Sequence, residues 1–158
     1  MESTRIHPAM NIPVPWTFVL TFFAGVGVQY LAPITIRSGT VLFICRNAGV
    51  VLTTVGVLLA FGSLGIFHIT RTTTVPFERP SRLVTWGPYR ATRNPMYVGL
   101  AITYVGVAGI QAQVWPVVLL PLLLLYLDRV VIPVEEARLG EAFGDVYEGY
   151  RARVRRWI

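Results

Sequence analysis

Four long apolar stretches separated by short polar segments dominate this sequence. They cover residues 14–36, 41–69, 96–112 and 114–134. A helix needs about 20 apolar residues to cross a bilayer. The charged fraction of 14% is well below the roughly 25% of a typical soluble domain. The sequence therefore predicts an all-α integral membrane protein with about four transmembrane helices.

The 158 residues are sufficient for one compact domain. Within this single domain, 1–158, we expect residues 1–69 to form a two-helix N-terminal anchor and residues 70–158 to form the functional core. The last two apolar stretches are joined by a tight link, which predicts a helical hairpin. Pro121 and Pro133 should kink or break the fourth helix, because proline removes a backbone hydrogen bond.

The tail after the fourth stretch mixes charged residues with regularly spaced apolar ones. The apolar residues recur about every four positions, which is typical of an amphipathic helix at a membrane surface. They are Leu139, Phe143, Tyr147 and Tyr150. We therefore predict an amphipathic C-terminal helix within residues 135–158, divided near Gly144.

All 14 basic residues are arginine, and their distribution predicts the topology. The loop 70–97 carries five of them and the chain from Arg129 onward carries six. Because positively charged segments stay on the cytoplasmic side, we expect both termini and this loop to be cytoplasmic. Arginines that flank apolar stretches indicate contact with anionic lipid headgroups, so the net charge of +6 does not point to nucleic acid.

The sequence gives little indication of a metal site or of covalent catalysis. Cys45 is the single cysteine, and His7 and His68 are far apart. Neither a disulfide framework nor a metal site is therefore expected. No serine, cysteine or paired-histidine arrangement indicates a covalent catalyst.

A stiff polar loop, residues 86–99, leads into the third apolar stretch. Pro88 and Pro95 restrict its backbone, and its arginines and tyrosines suit a small anionic or zwitterionic ligand. The predicted topology brings this loop to the same membrane face as an acidic segment near the end of the fourth helix. The two segments offer Tyr89, Arg90, Arg93, Asn94 and Tyr97 from the loop, and Asp128, Arg129, Glu135 and Glu136 from the helix.

Two interpretations of these polar residues remain open at this point. They could bind a charged, soluble cofactor and orient a lipophilic substrate that comes from the bilayer. Alternatively, the loop could only set topology and contact lipid headgroups. In that case Glu135 and Glu136 would merely pair with Arg138 or Arg129 on a solvated helix face.

Two motifs carry a family resemblance that covers roughly residues 70–158. Arg93-Asn-Pro-Met-Tyr-Val-Gly99 follows the pattern R-[HN]-P-x-Y-x-G, and the tail from Glu135-Glu to Arg156-Trp follows E-E-x-x-L…F-G-x-x-Y-x-x-Y…R-W. Both patterns, in this order around a helical hairpin, resemble the integral-membrane methyltransferases. These include the isoprenylcysteine carboxyl methyltransferase and phospholipid methyltransferase families.

The resemblance implies S-adenosylmethionine (SAM) as cofactor, with S-adenosylhomocysteine as its product. It also implies a lipophilic or lipid-anchored substrate that enters from the bilayer at the cytosolic face. With the two loop residues that precede the first motif, the predicted cofactor-binding residues are Tyr89, Arg90, Arg93, Asn94, Pro95, Tyr97, Gly99, Glu135 and Glu136. Arg129 and Glu136 are predicted to be catalytic, by orienting the acceptor or the polar end of the cofactor.

One residue departs from the isoprenylcysteine pattern. Those enzymes have a histidine after the first arginine, where this chain has Asn94. Asparagine can hydrogen-bond a cofactor but cannot carry charge. The departure leaves the acceptor open among an isoprenylcysteine-type carboxylate, a lipid headgroup and another small lipophilic molecule.

Two other functions remain as alternatives. The first is an NADPH-dependent membrane reductase of the sterol type, whose last two helices have a similar layout. The second is a non-catalytic membrane assembly protein that retains the scaffold. The glycines within the apolar stretches permit self-association without requiring it.

Overall fold

The computed structural model describes residues 13–69 and 82–158, and these residues form helices and no strands. A 3₁₀ turn covers Gly87–Arg90 and a π-helical turn covers Leu127–Val131. The α-helices are α1 (Val14–Leu31), α2 (Gly39–Ile69), α3 (Pro95–Ile110), α4 (Val114–Tyr126), α5 (Ile132–Phe143) and α6 (Asp145–Arg151). The all-α prediction is confirmed. Residues 1–12 and 70–81, with Arg71 and Arg79 of the predicted arginine-rich loop, lie outside the described residues.

Three of the described helical segments are long and apolar enough to cross a membrane. They are Val14–Leu31, Gly39–Ile66 and Val114–Phe143. The helix α3 is apolar but shorter, with 16 residues. The chain is therefore a membrane protein with four apolar helices, of which three reach the length of a full span.

The first helix ends at Leu31, before the predicted boundary at residue 36. Ala32 adopts a non-helical conformation, with φ of −134° and ψ of 77°. It precedes Pro33, whose ring disfavours a helical conformation in the residue before it. The apolar residues after Pro33 therefore continue as non-helical chain.

The fourth apolar helix stays helical through Pro121 and Pro133. Pro121 lies inside α4, and Pro133 lies in the first turn of α5. Between α4 and α5, the π-helical turn provides a wider ring in which Ile132 N donates to the carbonyl of Leu127. This wider turn lies directly before Pro133, which has no N–H to donate. The helix is therefore not broken at Pro133.

The predicted amphipathic tail is divided at Gly144, as expected. Its first part, α5, continues directly from the fourth apolar helix, and its second part is α6. Gly144 has φ of +51° and ψ of −130°, a conformation that side chains with a Cβ rarely adopt. The reversal at Gly144 ends α5 and directs α6 back toward the rest of the protein.

The helices pack in two close pairs. In the antiparallel pair α2–α3, a Cβ added to Gly56 would lie 2.5 Å from the backbone nitrogen of Thr103. A Cβ on Gly106 would lie 2.5 Å from the nitrogen of Thr53. In the pair α1–α4, a Cβ on Gly25 would lie 2.6 Å from Cα of Pro116. Glycine is required because the two backbones of each pair are in direct contact.

The helices α3 and α4 form the predicted hairpin. They are joined by residues 111–113, and the hydroxyl of Tyr104 on α3 donates to the carbonyl of Pro116 on α4 at 3.0 Å. Phe18 and Phe22 of α1 pack edge-on against the ring of Tyr104. The hairpin therefore lies between α1 and α2 and holds the two motifs at one end of the bundle.

Substitution of Gly56 by alanine should destabilise the protein, whereas Gly62→Ala in the same helix should not. The new methyl at position 56 would overlap backbone atoms of α3, and overpacking of this kind costs about 1–3 kcal/mol. A Cβ at Gly62 meets no described atom within 4 Å. Thermal unfolding in detergent measures both variants. Equal melting temperatures for the two would contradict the close α2–α3 contact.

Candidate functional site

Three segments of the chain meet at one end of the helix bundle. They are the loop 86–94 before α3, the π-helical turn with α5, and the tail 152–158 after α6. The loop is shaped by Gly87, whose φ is +62°, and by the 3₁₀ turn that follows it. Because α6 runs back from Gly144, the tail reaches the loop. The predicted meeting of the loop and the acidic end of the fourth helix is observed.

The tail docks on the loop through its backbone. The amide of Arg93 donates to the carbonyl of Arg155 at 2.9 Å. The carbonyl of Arg156 accepts from Thr92 Oγ1 and from Asn94 Nδ2, both at 3.0 Å. Because the tail contributes only backbone carbonyls to these bonds, they connect the tail to the start of α3 whatever side chains most tail residues have.

A chain of alternating charges runs through this junction. Arg93 Nη2 lies 3.0 Å from Glu136 Oε1, and Arg156 binds both oxygens of the same carboxylate at 3.1 and 2.7 Å. Arg156 Nη1 also donates to Asp128 Oδ1 at 3.0 Å, and the indole of Trp157 donates to the same oxygen at 2.9 Å. The side chains of Arg93 and Glu136 are only 11% and 9% exposed. The hydrogen bonds with Glu136 raise the pKa of Arg156 above its ordinary value, so this guanidinium is charged at any physiological pH.

The neighbouring acid, Glu135, has a different partner. Its Oε1 accepts a hydrogen bond of 2.6 Å from the hydroxyl of Tyr97, which is buried in the first turns of α3. Consecutive residues of a helix point about 100° apart. The two glutamates therefore take separate positions, with Glu136 between the arginines and Glu135 against Tyr97.

A pair of tyrosines closes the junction between the loop and α6. The hydroxyl of Tyr150 donates to the carbonyl of Tyr89 at 2.7 Å. Burial raises the pKa of Tyr150 to about 12, so the hydroxyl keeps its proton throughout the neutral range. Tyr147, one turn earlier, is fully buried beside it.

Most of the predicted cofactor-binding residues are brought together at this junction. Those that lie within the network or directly beside it are Tyr89, Arg93, Asn94, Pro95, Tyr97, Glu135 and Glu136. Arg90 is exposed at the end of the 3₁₀ turn. Gly99 lies against α2, where an added Cβ would be 2.6 Å from the nitrogen of Ala60. The position of Gly99 is thus explained by helix packing, and its role toward a cofactor stays a prediction.

Arg129, predicted to act together with Glu136, lies apart from it. Its side chain is 74% exposed and approaches Asp128 at 3.5 Å. A spacing of seven residues places two side chains on one face of a regular α-helix. The π-helical turn between Arg129 and Glu136 widens one turn and changes this phase. The shared face that this spacing would give in a regular helix is therefore absent, and the catalytic role of Arg129 stays a prediction.

Sequence reasoning did not assign a role to Arg156, Thr92 or Trp157. The R-W ending of the second motif was a signal for two of them. However, Arg156 and Glu136 are separated by a helix end, a glycine turn and a second helix. No helical or strand periodicity connects residues across such a path, so their contact could not be predicted from spacing.

Arg93 retains unused hydrogen-bonding capacity. Its Nε and Nη1 are buried and have no hydrogen-bond partner among the described residues. Buried donors of this kind are costly when unpaired, and a guanidinium group pairs best with a carboxylate or phosphate. Arg93 can therefore provide two further donors to an anionic group of a ligand.

An apolar groove of about 450 Å³ lies between α1 and α4. Its lining is mostly aliphatic, with the hydroxyl-bearing side chains of Thr17, Thr21 and Tyr126 among it. Tyr126 directly precedes the π-helical turn that carries Asp128. The groove thus includes a residue from the end of α4 that adjoins the π-helical turn.

These features define a helical membrane protein with a charged site at one end of an apolar bundle. The family model for phospholipid methyltransferase matches residues 44–146, about two-thirds of the chain. The chain belongs to this family and is a membrane methyltransferase. No curated protein and no solved structure matches it. The matched region begins within α2 and includes both glutamates, and it ends before the tail that carries Arg156.

The substitution Tyr150→Phe should destabilise the protein, because it removes the 2.7 Å hydrogen bond from this hydroxyl to the carbonyl of Tyr89. A hydrogen bond of this kind contributes about 0.5–1.5 kcal/mol. The pKa of Tyr150 in the folded protein lies above the value of about 10 for free tyrosine. The protonated hydroxyl therefore contributes fully to the free energy of unfolding below about pH 10, and this contribution is lost as the pH rises toward 12. Thermal unfolding from pH 7 to 12 should show a smaller fall in melting temperature at alkaline pH for the variant than for the wild type. The control is Tyr30→Phe, since Tyr30 is 83% exposed; an equal effect there would contradict the assignment.

Proposed function

We propose that this protein transfers a methyl group from SAM to a lipophilic acceptor drawn from the bilayer. The observation that carries the proposal is Arg93, whose largely buried side chain pairs with Glu136 and has two unpaired buried donor nitrogens, at the end of an apolar bundle. Membership of the phospholipid methyltransferase family supports the reaction class.

The donor and acceptor groups of the site fit the polar parts of SAM. The unpaired Nε and Nη1 of Arg93 suit its carboxylate. Glu135 is an acidic group suited to its ammonium group or ribose hydroxyls, and the amide of Asn94 adds a neutral hydrogen-bonding group. When bound, SAM supplies a methyl group on a sulfonium, which makes the transfer an in-line displacement that releases S-adenosylhomocysteine.

The residues of the site contribute alignment and exclusion of water. The tail 152–158 covers the loop through the bonds to Arg93 and Asn94, which limits access of bulk water from that side. Glu136 holds Arg93 in place through its carboxylate. Such fixed geometry is the main means by which an enzyme accelerates a displacement between two bound molecules.

The acceptor that fits this arrangement has an apolar body and a polar head. The groove between α1 and α4 suits an acyl or isoprenoid chain, and its lining residue Tyr126 directly precedes the π-helical turn that contains Asp128 and Arg129. The exposed guanidinium of Arg129 suits an anionic lipid headgroup. We propose a lipid headgroup as the acceptor class, and we propose that the site faces the cytoplasm, in keeping with the arginine distribution.

Addition of S-adenosylhomocysteine should stabilise the purified protein. A ligand at about 100 times its dissociation constant adds roughly 2.7 kcal/mol to the free energy of unfolding. Thermal unfolding in detergent, with the ligand and without it, measures this shift. Arg93→Lys should reduce the shift, whereas Arg153→Lys, an exposed change on the tail, should leave it intact.

The same assay separates the proposed function from its alternatives. A shift with NADPH in place of S-adenosylhomocysteine would indicate a reductase. Stabilisation by neither ligand would refute the cofactor assignment and favour an assembly role. Transfer of labelled methyl from SAM to lipids of a membrane extract then identifies the acceptor.

Glu136→Gln should lower methyl transfer about tenfold or more while preserving the fold. The variant keeps the size of the side chain but removes the charge that binds Arg93 and Arg156, and hydrogen bonds to charged groups are worth about 1.5–3 kcal/mol. Turnover with labelled SAM and circular dichroism measure the two effects. The matched control is Glu141→Gln, an exposed residue on the same helix. Unchanged turnover in Glu136→Gln would remove Glu136 from the site.

A further inference from the structure

The side chain of Arg156 connects three segments that have no other common partner among the described residues. It comes from the tail, binds both oxygens of Glu136 on α5, and binds the side chain and carbonyl of Asp128 in the π-helical turn. All its guanidinium nitrogens are therefore engaged. Four of its five N–H donors are used, so Arg156 offers a ligand at most one further donor, and its main contribution passes through the residues that it holds.

The principal residue that it holds is Glu136. Oε1 of this carboxylate is shared between Arg156 Nε and Arg93 Nη2, while Oε2 binds Arg156 Nη2. A planar guanidinium that binds a carboxylate with two parallel bonds determines the plane of that carboxylate. The plane of Glu136 in turn determines the direction from which Arg93 approaches. The orientation of the unpaired Nε and Nη1 of Arg93 therefore depends on Arg156.

We propose that Arg156 is a positioning residue for methyl transfer, which aligns Glu136 and through it the ligand-binding donors of Arg93. This inference rests on the proposed function. It goes beyond the family assignment, because the matched region ends at residue 146 and does not include the tail. It also gives Asp128 and Trp157 a role, since Asp128 binds the Arg156 guanidinium and Trp157 donates to the same oxygen of Asp128.

The geometry requires an arginine at this position. A lysine would keep the positive charge but would provide one point of contact instead of a planar fork. Arg156→Lys should therefore retain the fold and the attraction to Glu136, and lose the alignment. This separates a positioning role from a purely electrostatic one.

The test compares Arg156→Lys, Arg156→Gln and Arg156→Ala with Arg153→Gln. Arg153 lies on the same tail and is exposed, and among the described residues its side chain bonds only the carbonyl of Gly149. For each protein we would measure the melting temperature, the dissociation constant of S-adenosylhomocysteine, and kcat and KM for SAM. In Arg156→Lys and Arg156→Gln we expect kcat/KM to fall about tenfold or more, as for loss of one charge-assisted bond. Arg153→Gln should behave like the wild type.

Rescue provides a readout that a merely structural role would not give. Arg156→Ala leaves a space beside two carboxylates, and added guanidinium ion should occupy it and restore part of kcat. The same concentration of sodium chloride or of urea should not restore activity. Restoration by guanidinium in Arg156→Ala, with no gain in Arg153→Gln, would support the positioning role even where the variant has a lower melting temperature.

Two results would overturn the inference, and they are distinguishable. If the wild type binds S-adenosylhomocysteine and transfers methyl, but Arg156→Gln matches Arg153→Gln in every constant, Arg156 has no positioning role. If the wild type neither binds S-adenosylhomocysteine nor transfers methyl, the proposed function fails and the inference fails with it.

Discussion

The buried carboxylate of Glu136 is the charge on which the arrangement of the site depends. A carboxylate removed from water costs several kcal/mol unless it is paired and hydrogen-bonded. Here the compensation comes from Arg93, before α3, and from Arg156, on the tail. Because the three residues belong to different segments, the loop, the tail and α5 must be in place together for the charge to be balanced.

The close contact between α2 and α3 positions the start of α3, and with it the loop that carries Arg93. Gly99 illustrates the link, since it lies within the first motif and also in the helix contact, against the backbone of Ala60. A larger residue at position 99 would separate the helices and move the first turn of α3 at the same time. Helix packing and site geometry are therefore coupled, and substitutions in the apolar contact are expected to affect binding.

The sequence was a good guide to the helices and to the meeting of the two motifs, because both follow from local signals. Apolar length identifies the membrane helices, and the motifs identify Arg93 and Glu136, which are in contact. Contacts that depend on how the chain runs between helices could not be predicted from the sequence. The π-helical turn separates Arg129 from the face of Glu136, and a glycine reversal brings Arg156 to the site. Neither effect has a periodic signature that spacing rules could detect.

The short length of α3 has a consequence for how the site meets the bilayer. Its 16 residues rise about 24 Å, against a hydrocarbon thickness of about 30 Å. This hydrophobic mismatch is met by local thinning of the bilayer or by a loop that lies below the headgroup plane. In the second case Arg93, just before α3, would lie at the depth of the glycerol region rather than in bulk water. The lipid acceptor proposed above would then need only a small displacement from its own leaflet to react.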